Sequence, residues 1–193
     1  MWEKEKVNDW YSDQKWLVGC NYLPSTAINQ LEMFQEDNFD FETNKREIGW
    51  ANDIGFNSLR IYLHDLLWQD KESFKKRLNK TLSLCLNFNI KPILVLFDDC
   101  HRPFPKLGKQ PLPVRGVHNS GWKQSPGHKI VKEIAIGNKK EEARLKIFVQ
   151  EVLDDFRDDE RILLWDLYNE PGQFGIGDES NVLLTKVWDW AFE

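Results

Sequence analysis

Cysteine, basic charge and long apolar runs are scarce in this chain, and each shortage excludes a class of protein. Its three cysteines include no Cys-x-x-Cys pair and cannot form a paired disulfide framework. We interpret them as single thiols in or near strands and a helix. The formal charge of −5 gives no basic field for nucleic acid. The longest apolar run, residues 92–97, is far too short to span a bilayer. No nucleic acid or membrane partner is therefore expected.

The N-terminus also lacks the apolar segment of a secretory signal. It begins with the charged sequence MWEKEK, so no signal peptide is expected in the chain as written. A leader removed before residue 1 would leave the same sequence. The compartment is therefore open: secreted or periplasmic with such a leader, cytoplasmic without one.

Four apolar stretches are predicted as strands, and a helix is predicted after each. A content of 41% hydrophobic residues suits one globular domain with a core. The strands are expected at residues 16–22, 57–63, 91–97 and 162–170. The helices are expected at residues 41–54, 71–87, 141–157 and from about 178 onward. Strand three is a continuous apolar run, typical of a strand buried on both faces. This order predicts an α/β fold with a parallel sheet.

The segments between these elements carry further expectations. Asp40 is predicted to cap the first helix, and Gly55 to end it in the left-handed conformation. Residues 1–15 are interpreted as an N-terminal cover. Residues 98–138 hold five of the eight prolines and are interpreted as an ordered, stiff loop. Three tryptophans are expected in the core: Trp16, Trp50 and Trp165.

The fourth strand ends in a carboxylate followed by a proline. Strict alternation places Leu164, Asp166, Tyr168 and Glu170 on one face. Pro171 cannot donate a hydrogen bond to a neighbouring strand, so the strand must stop there. In a barrel of parallel strands, catalytic groups lie where strands end. A glutamate at such an apolar mouth is expected to be partly desolvated, which suits a general acid.

Residues 165–171, Trp-Asp-Leu-Tyr-Asn-Glu-Pro, resemble strand four of the retaining glycoside hydrolases of clan A, and most of all the cellulase family, glycoside hydrolase family 5. The resemblance implies a (β/α)8 TIM barrel that hydrolyses β-glycosidic bonds of poly- or oligosaccharides. It places the acid/base on Glu170 and contact with the sugar 2-hydroxyl on Asn169. Arg60 matches the arginine that orients the nucleophile. Carbohydrate is the implied partner, and neither cofactor nor metal is implied.

The resemblance covers only about half of the family fold. The family nucleophile is a glutamate at the end of strand seven, and this chain supplies four strands. A full barrel takes ~250 residues, so residues 1–193 are expected to be a single catalytic-domain fragment covering roughly the first four β/α units and inactive alone. An open half-barrel exposes strand edges. Its expected partners are the missing C-terminal half or a second copy.

Several polar residues after the strands are candidate sugar ligands, and each has a second interpretation. His64 either contacts substrate or is an ordinary loop histidine. Asp98 and Asp99 either accept sugar hydroxyls or, with neighbouring Cys100 and His101, bind a metal. The metal interpretation is disfavoured, because four adjacent residues cannot all reach one ion.

The long loop offers a further group: His118, Asn119 and Trp122. A tryptophan ring stacks on the C–H face of a sugar, and an amide binds its hydroxyls. Alternatively, Trp122 anchors the loop.

Two rival functions follow from these alternatives. One is a non-catalytic carbohydrate-binding half-barrel. The other is a metal-dependent hydrolase that uses Asp98, Asp99 and histidines.

Overall fold

Four parallel strands form the sheet of this protein, in the spatial order in which they occur along the chain. The computed structural model describes residues 2–193. The strands are β1 (Gly19–Asn21), β2 (Ser58–Tyr62), β3 (Lys91–Asp98) and β4 (Leu164–Asn169). The register pairs Arg60 with Ile93 and Ile93 with Leu164. The predicted α/β fold with a parallel sheet is confirmed.

Seven α-helices accompany the sheet within the described residues. They are α1 (Lys4–Ser12), α2 (Gln30–Phe34), α3 (Phe41–Asp53), α4 (Lys71–Asn87), α5 (His128–Ala135), α6 (Lys139–Phe156) and α7 (Gly177–Phe192). Short 3-10 turns occur at Glu36–Asn38, Asp65–Asp70 and Gln173–Gly175. None of these helices combines the length and apolar character that crossing a bilayer requires.

The predicted helix ends are confirmed at α3. The Asp40 carboxylate accepts a hydrogen bond of 2.9 Å from the backbone N–H of Thr43, which satisfies one of the free donors of the first turn. Gly55 has φ +92°, the left-handed conformation that a residue without Cβ adopts readily. Local sequence therefore determines both ends of this helix.

Three expectations for the N-terminal region and the tryptophans are wrong. Helix α1 has no buried residue, so residues 2–15 do not act as a cover; Met1 lies outside the described residues. Trp16 is 83% exposed, because it precedes β1, the open edge of the sheet. Trp50 lies on the outer side of α3, where the Arg46 guanidinium is 5.3 Å from its ring centroid. Of the three tryptophans expected in the core, only Trp165 packs against it.

Aromatic rings fill the core between helix α6 and the carboxyl ends of strands β3 and β4. The Phe97 ring centroid lies 5.5 Å from that of Phe148 and 6.0 Å from that of Tyr168, both in edge-on geometry. Phe148 also contacts Trp68, at 5.8 Å. This cluster fixes the ends of β3 and β4, where the candidate site lies.

The outer edge of β4 borders an apolar groove of about 780 Å³. The groove is formed by β4 together with α6 and α7, and its apolar lining includes Leu164, Trp165, Leu167, Leu184, Trp188 and Phe192. The sheet pairs β4 only with β3, so the second edge of β4 has no strand partner among residues 2–193. An unpaired edge beside an apolar surface favours association with another polypeptide.

We expect the isolated 193-residue chain to self-associate across the micromolar range, because this edge and groove remain uncovered. Sedimentation velocity measures this directly. Trp188→Glu, which places a charge in the groove, should shift the distribution towards monomer. Ile54→Glu is the matched control, since Ile54 is 72% exposed at the end of α3. A sharp monomeric species at every concentration would contradict this expectation.

Candidate functional site

Arg60 on β2 connects two polar residues of β4 across the intervening strand. Its Nη2 donates to the carboxylate of Asp166 and, at 2.7 Å, to Oδ1 of Asn169. Burial acts to lower the pKa of Arg60, but the hydrogen bond to Asp166 outweighs it, and the pKa is raised. The arginine is therefore a fixed positive charge on the open face of the sheet.

The face of β4 that carries this network differs from the alternating one expected. Tyr168 belongs to the apolar core and is 7% exposed, whereas Asn169 joins Asp166 at the Arg60 guanidinium. The prediction that Leu164, Asp166, Tyr168 and Glu170 share one face is wrong for Tyr168. Core packing against Phe97 takes the tyrosine ring, and this leaves the amide of Asn169 facing the arginine.

Glu170 follows β4 directly and is exposed, rather than partly desolvated as expected. Its backbone has φ +46°, a conformation that L residues other than glycine seldom adopt. The exposure has a plain cause, because no strand covers the outer edge of β4 among residues 2–193. The carboxylate of Glu170 is thus accessible to solvent just beyond β4.

Cys100 lies within electrostatic reach of this glutamate. Burial, followed by the negative charges of Asp98 and Glu170, raises the pKa of the Cys100 thiol to about 12. Asn169 donates from Nδ2 to the Cys100 sulfur at 3.0 Å. The ends of β3 and β4 therefore bring Asn169, Glu170, Cys100 and Asp98 into one cluster.

Asp98 and Asp99 end β3 with buried carboxylates. Oδ1 of Asp98 lies 2.7 Å from Nδ1 of His101, and burial raises the pKa of Asp98. Oδ2 of Asp99 accepts hydrogen bonds from the Gly172 backbone at 2.9 Å and from the Ser180 hydroxyl at 2.5 Å. Both residues are at most 1% exposed. Their contact with sugar stays a prediction, and this burial does not favour it.

His64 is completely buried. Its Nε2 donates to the Gln124 carbonyl at 2.8 Å, so it ties the end of β2 to the long loop. Neighbouring Asp65 accepts from Arg144 at 2.5 Å and from Ser125 at 3.0 Å. The structure therefore gives His64 a packing role, and a substrate contact for it stays a prediction.

The three candidate residues of the long loop differ in their exposure to solvent. His118 and Asn119 are exposed, and their side chains make no hydrogen bond to residues 2–193 in the described structure. Trp122 is half-buried, and its ring stacks on His101 with centroids 4.8 Å apart. Tyr62 packs edge-on against the same ring at 5.3 Å. Trp122 therefore anchors the loop on the strand ends, which matches one of its two interpretations.

Sequence reasoning missed the roles of two residues. The sequence gives Asp166 no partner, although a lone aspartate between Trp165 and Leu167 indicates an ion pair, and the structure shows this pair partly buried. Cys100 was interpreted as a passive thiol, yet it accepts the Asn169 amide at the centre of the cluster. Both partners are distant in sequence, so no local pattern pointed to them.

Comparisons with protein-family models, curated proteins and solved structures found no match to this chain.

Arg144→Met should lower the free energy of unfolding by about 2–3 kcal/mol, because it removes the guanidinium partner of the buried Asp65 carboxylate. The value is below the usual range for a fully buried pair, since the Arg144 side chain is 31% exposed. Urea titration measures the loss. Arg157→Met is the control, because Arg157 pairs only with exposed aspartates and should change stability by less than about 0.5 kcal/mol. Equal losses in the two variants would contradict the role of the buried pair.

The same pair predicts a pH dependence. Burial acts to raise the pKa of Asp65, but His64 and Arg144 outweigh it and hold the pKa at about 2. The pKa of Asp65 is lower in the folded chain than the ~3.9 of an unfolded aspartate, so the ionised carboxylate stabilises the fold fully above about pH 3.9. This contribution is lost as the pH falls towards 2. Arg144→Met raises the pKa of Asp65 in the folded chain, so the variant should gain less stability than wild type between pH 2 and pH 5.

Proposed function

We propose that this chain is the N-terminal half of the catalytic domain of a retaining β-glycoside hydrolase with a (β/α)8 barrel, similar to the cellulase family. The observation that carries the proposal is the bridge from Arg60 to Asp166 and Asn169, directly beside Glu170. The bridge leads to the carboxyl end of β4, and barrel enzymes hold their reacting groups at the carboxyl ends of parallel strands. The order of strands and helices is also that of half a barrel.

Glu170 is the proposed acid/base. It would donate a proton to the glycosidic oxygen as that bond breaks, and the leaving sugar departs as an alcohol. It would then take a proton from the water that attacks the glycosyl-enzyme. Its exposure at the open end of the sheet allows a substrate to approach.

Asn169 is the proposed ligand of the sugar 2-hydroxyl. Its Oδ1 accepts from Arg60, which fixes the orientation of the amide. One N–H of Nδ2 then points to the Cys100 sulfur at 3.0 Å. An amide nitrogen carries two hydrogens, so one donor remains for a hydroxyl oxygen. Arg60 is thus a positioning residue for this amide.

The second carboxylate of the retaining mechanism is proposed to lie on another polypeptide segment. A nucleophile must stand about 5–5.5 Å from the acid/base. Asp166 is engaged by Arg60, and Asp98 and Asp99 are buried. The segment that fills the groove beside β4 would bring the nucleophile. The proposed source of this segment is a C-terminal half of the barrel or, failing that, a second copy of this chain.

A first test reads the gene downstream of the codon for Glu193. The proposal expects the frame to continue and to encode a strand that ends in glutamate in the seventh β/α unit. A stop codon directly after Glu193 would instead favour the second candidate below.

In a polypeptide that contains both halves, Glu170→Gln should lower kcat on a β-linked polysaccharide by ~10²–10⁴-fold, because it removes the proton donor. Reducing-sugar release measures the rate. Glu160→Gln is the matched control, since Glu160 is an exposed glutamate at the opposite end of β4, and its rate should stay within about twofold. Similar rates in both variants would remove Glu170 from the reaction.

The second candidate is a carbohydrate-binding half-barrel without catalysis. The engagement or burial of the neighbouring aspartates favours it for the isolated chain. Calorimetric titration with β-linked oligosaccharides, together with an assay for product, separates the two. Binding that weakens in Asn169→Ala, with no product from any polypeptide containing the chain, supports the second candidate.

A further inference from the structure

Three side chains with metal-binding atoms converge just after β3. Asp98, Cys100 and His101 each offer one donor atom, and these atoms lie within 4.8 Å of one another. The three residues lie within four positions of sequence, and their side chains can converge because the chain turns sharply where β3 ends. Asp99, which lies between them in sequence, faces Ser180 on α7 and is not part of this cluster. The expectation that four adjacent residues cannot share one ion thus does not apply to three of them.

One oxygen of this cluster is buried without a partner. Oδ2 of Asp98 makes no hydrogen bond to any residue in the described range 2–193, and the side chain is 1% exposed. A buried carboxylate oxygen without a donor is costly, because the charge loses its hydration and gains nothing in return. Oδ1 of the same group already takes the His101 contact. A cation bound at Oδ1, the oxygen that lies beside the thiol and the imidazole, would neutralise the carboxylate and remove much of this cost.

The surrounding charges also favour a cation. Asp99 is adjacent to Asp98, and Glu170 is near enough for its charge to act on the Cys100 thiol. Arg60, the nearest fixed positive charge described above, is already engaged by Asp166 and Asn169. The cluster therefore carries more negative than positive charge.

We propose that Asp98, Cys100 and His101 form a binding site for a divalent cation of the zinc type. A thiolate, an imidazole and a carboxylate are the ligands that Zn²⁺ takes in proteins, whereas Mg²⁺ and Ca²⁺ prefer oxygen alone. The site goes beyond the proposed hydrolase function and does not depend on it. The ion would hold the turn after β3 in place, and water would complete the coordination.

The distances fit such an ion after one small movement. Ligand bonds of about 2.0–2.3 Å place tetrahedral donors roughly 3.3–3.8 Å apart. The Cys100 sulfur lies 3.8 Å from Oδ1 of Asp98, within this range. Nδ1 of His101 lies closer to the same oxygen, at 2.7 Å, as a hydrogen bond requires. Binding therefore separates these two atoms by about half an ångström.

Proton release accompanies binding. The Cys100 thiol loses its proton to solvent as the metal–sulfur bond forms, and Nδ1 of His101 must also be free of its proton to be a ligand. Protons therefore compete with the metal for the sulfur and for the imidazole nitrogen. Affinity should therefore increase as the pH rises from 6 to 8.

Outer contacts would hold the ligands in place. The stacked Trp122 ring and the edge of Tyr62 restrict His101. The Asn169 amide donates to the Cys100 sulfur at 3.0 Å and would support a thiolate there. The site thus shares Asn169 with the proposed sugar contact while leaving Glu170 outside the ligand set.

Cobalt(II) is the probe, because a thiolate bound to it gives a charge-transfer band in the near ultraviolet, and tetrahedral coordination gives intense visible bands. Titration of the metal-free chain with CoCl₂ at pH 8 should produce both bands at one ion per chain, and added ZnCl₂ should remove them. Cys100→Ser should abolish the charge-transfer band. Asp98→Asn, which keeps the side-chain volume, should weaken binding by at least about tenfold.

Cys20→Ser is the matched control, since Cys20 is the exposed cysteine on β1 and should leave every band unchanged. Circular dichroism confirms that each variant is folded before titration. Absence of the bands in the wild-type chain would overturn the proposal. Bands that persist in folded Cys100→Ser, or that disappear in Cys20→Ser, would overturn it as well.

Discussion

The buried carboxylate of Asp99 is the constraint on which the candidate site depends. Its Oδ2 accepts from the Gly172 backbone and the Ser180 hydroxyl, and its own N–H donates to the Asn169 carbonyl at 3.2 Å. A charge in the interior must be met by such donors, so β3, the turn after β4 and the start of α7 can adopt few other arrangements. Glu170 lies between Asn169 and Gly172. Its place at the sheet edge is therefore determined by a neighbour that it does not contact through its side chain.

Much of the fold could be predicted from the sequence, because it depends on local patterns. Helix α4 has the predicted bounds, since Phe74, Leu78 and Leu82 repeat at helical spacing and are buried on one side. The parallel order follows from strands that alternate with helices. Helix α5 is not predicted, because its eight residues lie inside a proline-rich connection, although Val131 and Ile134 are buried on one side of it. Strand β1 is shorter than predicted, since an edge strand has a neighbour on one side only.

The candidate site was less predictable, because its contacts join residues far apart in the chain. An arginine between the apolar residues Leu59 and Ile61 is costly without a partner, but the partner of Arg60, Asp166, is 106 residues away. The role of His64 likewise depends on a distant contact, because its partner, the Gln124 carbonyl, is 60 residues away. Burial of a polar group is decided by whichever distant segment satisfies it, and composition or spacing does not reveal that segment. Short motifs thus identified the strand end but not its surroundings.

At Glu170 the residue that would best stabilise the fold differs from the residue that the proposed reaction needs, because its backbone has a positive φ. A left-handed backbone suits glycine, and a residue with a Cβ pays about 1 kcal/mol to adopt it. Replacing Glu170 with glycine would therefore relieve the turn while removing its carboxylate. A search for stabilising substitutions would favour that change, whereas a search for function would reject it. The strained backbone thus coincides with an exposed carboxylate at the end of β4.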